Sequence, residues 1–168
     1  MFAAVFINWT IPVGLGHVGW GFQASAANWY YGALETAGFM VWAGDDNHTF
    51  NQLGSFSRMI SDMKTGRRDS GGGYPYHDYK LINVGQTDVG SALRLVANIK
   101  SNGYGLFRNN CMDATFNVVK SFARGNDRVL PWPSTHPIPR MWYSAIPGKG
   151  NFIQSESVTG NWMSQHGA

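Results

Sequence analysis

The segment GHVGWGFQ at residues 16–23 constrains the fold more than any other stretch of the chain. Val18, Trp20 and Phe22 alternate with His17, Gly19 and Gly21, which is the period of a β-strand. One side of this strand is bulky and apolar and must enter a core. The other is nearly bare beyond His17, so a helix backbone can approach it closely. Residues 24–27 turn the chain, and NWYYGALE at 28–35 reads as the returning strand. With the turn centred near Ala26, Glu35 falls opposite His17 on the same face, because directly paired residues share a face. A slip of one residue brings Leu34 or Thr36 there instead.

The rest of the chain agrees with a strand-rich domain. Gly accounts for 21 of the 168 residues and aromatics for 14%, while charged residues make up only 14%, against roughly 25% in an average soluble domain. Hydrophobic residues at 43% are enough for a core, and the length fits one domain over 1–168. Phe2 to Trp9 reads as the first strand, and 39–43, 81–84 and 141–146 as further strands. Leu53, Phe56, Ile60 and Met63 recur at helical spacing within 51–65. Residues 88–101 form a helix with Val89, Leu93, Val96 and Ala97 on one stripe, and 110–124 form another, N-capped by Asn110 and ended by Gly125. Residues 66–78 are a breaker-rich, flexible loop, 131–139 are irregular, and the tail beyond Gly160 is polar and loose. The expectation is an α+β fold with a central antiparallel β-sheet packed against helices.

Several function classes drop out. The net charge of +3 is small, and even the Arg67–Arg68 pair is offset by Asp69, so the chain is not expected to bind nucleic acid. No apolar run approaches the roughly 20 residues of a membrane helix. A single cysteine excludes an intrachain disulfide. The first residues lack the basic start of a secretory signal, which points to a cytoplasmic protein or one exported by a signal-independent route.

That single cysteine, Cys111, opens a helix. Backbone N–H groups and the helix dipole lower a thiol's pKa there, and the same groups can hold an oxyanion, with Asn110 in support. The plainer alternative is a small buried apolar residue, the usual fate of a free cysteine. A nucleophilic thiol needs a base, which His17 can supply, although a histidine on the solvent side of an edge strand would look the same. Glu35 is the candidate to orient the imidazole, with Asn109, Asn110 and Asp45 as other choices. His77 and His136 lie in irregular loops and suit the base role less well. Asp45, Asp46 and His48 match no zinc spacing and read as a polar turn, so no metal or cofactor is expected. Tyr74 and Tyr76, with Tyr79, stand in GGGYPYHDY, a candidate substrate loop.

GHVGW, then YGALE, then LFRNNCMDATF resembles the circularly permuted papain-like enzymes, among them the permuted NlpC-type peptidases and the lecithin retinol acyltransferase-like group. In that superfamily the histidine strand precedes the cysteine helix. The resemblance implies that Cys111 is the nucleophile, His17 the base and a polar residue on the next strand the orienter. It further implies hydrolysis of an amide in a peptide or glycopeptide, with peptidoglycan among the substrates. The acyltransferase-like members carry a second histidine on the following strand. Here that strand has Glu35, which favours an amidase or peptidase. The alternatives are an acyltransferase using the same cysteine, or a non-catalytic binding domain of the same fold.

Overall fold

The computed structural model describes all residues except 12–13, 36–39, 42–48, 69–70, 73, 106–108, 125–129 and 154–168. The first part of the chain forms strands β1 (Phe2–Asn8), β2 (His17–Gln23), β3 (Trp29–Ala33), β4 (Met40–Val41) and β5 (Phe50–Gly54). Helix α1 (Phe56–Thr65) follows, then β6 (Arg67–Arg68), β7 (Gly71–Gly72), β8 (Asp78–Asn83), α2 (Val89–Ile99) and β9 (Tyr104–Gly105). The remainder gives α3 (Cys111–Phe122), α4 (Pro139–Ala145) and β10 (Asn151–Phe152). Six strands form one antiparallel sheet in the order β10-β8-β1-β2-β3-β5, and β4–β9 and β6–β7 are small two-stranded pairs.

The sheet is filled on both faces, which gives α+β architecture in layers. Ala3, Val5 and Ile7 of β1 and Val18, Trp20 and Phe22 of β2 face a large core shared with α2, α3 and α4. Ala4 and Phe6 face a smaller core under α1, with Tyr31, Met59, Met63 and Tyr76. The hairpin register pairs Trp20 with Gly32 and Gln23 with Trp29, so the turn is centred on Ala26. Asn110 caps α3 by accepting from the Met112 and Asp113 amides, and the Asp113 carboxylate accepts the Asn110 amide in return. Eight of the twelve residues of α3 are buried, and the exposed Asn117 marks its solvent side.

Four sequence expectations need correction. Residues 141–146 are not a strand: Pro139 stands at a helix start, where its missing N–H costs nothing, and Trp142 and Tyr143 enter the core from α4. Leu53 lies on β5, because Ser55 caps the helix and starts it only at Phe56. The strand expected at 81–84 begins at Asp78. The glycine side of β2 is met not by a helix backbone but by side chains of α1 and by Tyr76: a Cβ at Gly21 would press on the Met59 sulfur, and one at Gly19 on the Met63 methyl and the Tyr76 hydroxyl. The 66–78 loop also carries the β6–β7 pair and ends in two buried residues, Tyr76 and His77. Asp45, Asp46, His48, Gly125 and the tail beyond Gly160 lie outside the described residues. Among the described residues no helix is long and apolar enough to cross a membrane.

Candidate functional site

His17 opens β2 and pairs with Asn8 of β1. On its other side, continuing the β2–β3 register three residues beyond the last paired positions brings Glu35 opposite it. The His17 Nε2 and Glu35 Oε1 atoms are 4.0 Å apart, and the residues are 4% and 3% exposed. A carboxylate so enclosed must be met by donors. The Tyr76 hydroxyl donates to Glu35 Oε1 at 3.2 Å, and the Tyr74 amide to Oε2 at 3.5 Å. The His17 ring meets Tyr74 edge-on at 5.6 Å and lies tilted against Tyr76 at 5.9 Å. Tyr76 is itself pinned, its amide donating to the Met63 carbonyl at the end of α1.

Cys111 comes from the other layer, as the first residue of α3. Its thiol meets β2 at the Val18 amide, the residue after His17, so thiol and imidazole reach one end of β2 from opposite faces, Val18 lying in the α3 core and His17 on the face it shares with Tyr76. The amides of Val18, Met112 and Cys111 itself favour the thiolate, as expected at a helix start. Burial opposes them and prevails, pushing the thiol up to about 12, and Asp113 adds to the rise. The resting sulfur is therefore a neutral thiol. Position on the helix alone implied the opposite, because the sequence did not reveal how completely α3 is enclosed.

Tyr104 was not singled out from the sequence. Its hydroxyl interacts with the thiol, and burial is the main cause of its raised pKa. Tyr74, which packs on His17, also acts on it. Tyr74 thus touches both sides, packing on His17 and acting on Tyr104, which in turn interacts with the thiol. The one sequence signal was the place of Tyr104, seven residues ahead of Cys111. Tyr76 is completely buried, so its ring serves the carboxylate and is not a surface for stacking a substrate. Tyr74 is half-buried. The Asn110 side-chain oxygen is committed to the helix cap, which fixes the turn that carries the thiol.

The other histidines lie elsewhere. His77 is buried and its Nδ1 accepts the Trp9 amide at 3.1 Å; burial lowers its pKa. The His136 Nδ1 stands 2.9 Å from the Thr135 hydroxyl. A second buried polar group joins β8 to α4. Lys80 Nζ donates to the carbonyls of Tyr143, Ser144 and Ile146, closing the end of that helix. Asp78 beside it accepts the Tyr79 amide, and burial raises its pKa. Among the described residues no three His, Cys, Asp or Glu side chains gather as metal ligands would. No family model, curated protein or solved structure matches this chain.

Proposed function

We propose that the protein is a thiol hydrolase of amide bonds, with a permuted papain-like arrangement in which Cys111 is the nucleophile, His17 the base and Glu35 the orienting group. The observation that carries the reading is the meeting at one end of β2: the Cys111 thiol lies against the amide next to His17, and the His17 imidazole is 4.0 Å from a buried carboxylate. Since burial keeps the thiol neutral, its proton leaves as the sulfur attacks rather than beforehand. The Cys111 sulfur bonds to the substrate carbonyl carbon and its proton passes through a bridging water to His17, since thiol and imidazole start from opposite faces of β2. His17 then gives the proton to the departing amine as the C–N bond breaks. Water hydrolyses the resulting thioester, releasing the acid and restoring the thiol. The amide of Cys111 at the α3 start would receive the oxyanion, the Met112 amide being engaged by the Asn110 cap. The substrate class, a peptide or glycopeptide amide, rests on the resemblance of GHVGW, YGALE and NNCMD to that superfamily.

The test is to trap the thioester. The protein is incubated with muropeptides and with an activated acyl ester, and the intact mass is followed over time. The expected result is one acyl adduct on Cys111, absent in Cys111→Ala and formed at least about a hundredfold more slowly in His17→Ala, the lower range for loss of a general base. Equal acylation of His17→Ala, or unchanged turnover by Cys111→Ala, would overturn the assignment.

A further inference from the structure

On the outer side of α3, away from the sheet, a cleft of about 430 Å³ is lined by Asn109, Asp113, Phe116, Asn117, Trp132 and Ser134. Its floor is aromatic: the Phe116 and Trp132 rings are 5.1 Å apart. Trp132 is 49% exposed, so about half of its indole faces solvent beside Phe116. Yet the segment that carries it is held rigidly. Leu130 is buried before it, and the Trp142 Nε1 donates to the Pro131 carbonyl at 2.8 Å. The Trp132 carbonyl accepts both the amide and the hydroxyl of Thr135. Lys120 rests its ammonium over the Trp132 ring at 4.3 Å and over Phe116 at 5.7 Å. The indole is thus fixed before any ligand arrives, which removes much of the ordering cost of binding.

The polar rim is fixed in the same way. Asn109 sits in the left-handed backbone region at φ 56°, a conformation asparagine tolerates better than most residues. Its Nδ2 donates to the carbonyls of Asn102 and Gly103 at 3.1 and 2.5 Å, which leaves the Oδ1 atom as an acceptor. Asn117 and Ser134 are exposed and offer a donor–acceptor amide and a hydroxyl. Among the described residues, the ionic groups at the cleft are the Asp113 carboxylate and the Lys120 ammonium, which offset each other. A strongly charged ligand is therefore not favoured. An aromatic face bordered by amides and hydroxyls is complementary to a sugar ring, whose C–H face packs on the indole while its hydroxyls reach the rim.

We propose that this cleft is a binding site for a neutral saccharide chain, with Trp132 as its platform and Asn109 and Asn117 as its hydrogen-bonding rim. The proposal does not depend on Cys111 being catalytic. The test is NMR titration of the ¹⁵N-labelled protein with triacetylchitotriose and, separately, with maltotriose. The Trp132 indole signal is assigned by its loss in Trp132→Phe. Saturable movement of that signal by either sugar is expected, with Trp132→Ala weakening binding at least about tenfold, the scale of one lost aromatic contact. Asn117→Ala should weaken binding less, and it guards against a misfolded tryptophan variant because it changes an exposed side chain. Absence of any shift with both sugars at millimolar concentration would overturn the proposal. So would unchanged affinity in both variants, or saturable binding of a proline-rich peptide at Trp132 in place of either sugar.

Discussion

Glu35 is a buried carboxylate whose neighbours are an imidazole, a phenol and one backbone amide. Removing a donor from such a group leaves a buried oxygen short of a hydrogen bond. Tyr76→Phe keeps the ring packing and deletes only the hydroxyl that donates to Glu35. It should lower stability by about 1–3 kcal/mol, read as a shift in the urea midpoint at unchanged slope. A midpoint equal to wild type would mean that the carboxyl does not depend on Tyr76. His77 gives a pH prediction of definite sign. Burial lowers its folded pKa below the ordinary 6.5, so the unfolded chain binds the proton more readily. Its contribution to stability is then complete above pH 6.5 and is lost as the pH falls toward the folded value. Protonation at Nδ1 would also remove the acceptor of the Trp9 amide. The stability difference between wild type and His77→Gln should therefore narrow from pH 7.5 to pH 5.5, as measured by urea unfolding at the two values. A difference that stays constant or widens as the pH falls would refute the assigned sign.

At the level of elements, the ends of two helices are fixed by single side chains. Asn110→Ala removes the α3 cap and should cost about 1 kcal/mol. Lys80→Met keeps the length of the side chain but leaves three carbonyls of α4 without their donor. It should cost about 1–3 kcal/mol, more than the cap, because the bonds to the Tyr143 and Ile146 carbonyls are buried. Thermal melts of both variants check the order, and the reverse order would show that α4 closes without Lys80. These elements also show what a sequence reveals. The β2–β3 hairpin was legible because alternation and one turn centre fix every cross-strand pair, including His17 with Glu35. The α3 start was legible because its cap is local. Tyr76 could not be assigned to Glu35, since 41 residues separate them and only α1 packing brings them together. Residues 141–146 looked like a strand because aromatic residues favour strands, whereas Pro139 and burial against β1 and β2 decide for a helix. The glycine side of β2 was read as open to a helix backbone, but nothing local says that methionine side chains of α1 fill it instead.

Across the whole molecule, the sheet divides the candidate site between two layers of unequal strength. Of the described residues, 24 form the core under α2, α3 and α4, and only 10 form the one under α1. Cys111 belongs to the first and Tyr76 to the second. Helix α1 has ten residues and buries only Met59 and Met63 fully, so less apolar surface resists its departure. The α1 layer should therefore open before the rest of the protein. Native-state hydrogen exchange in low urea should show the α1 amides exchanging through a sub-global opening, while the amides of β1, β2 and α3 exchange only on global unfolding. Met63→Ala should lower the free energy of the α1 opening by more than that of the α3 amides. An opening of this kind would free Tyr76 and with it the Glu35 carboxylate, while Cys111 stays enclosed by α3. Alkylation of Cys111 by iodoacetamide would then remain slow in Met63→Ala, since the burial that suppresses its thiolate lies in the other layer. If alkylation instead rises in step with α1 exchange, the thiol is sheltered by α1 as well, and the division of the site between two independent layers is wrong.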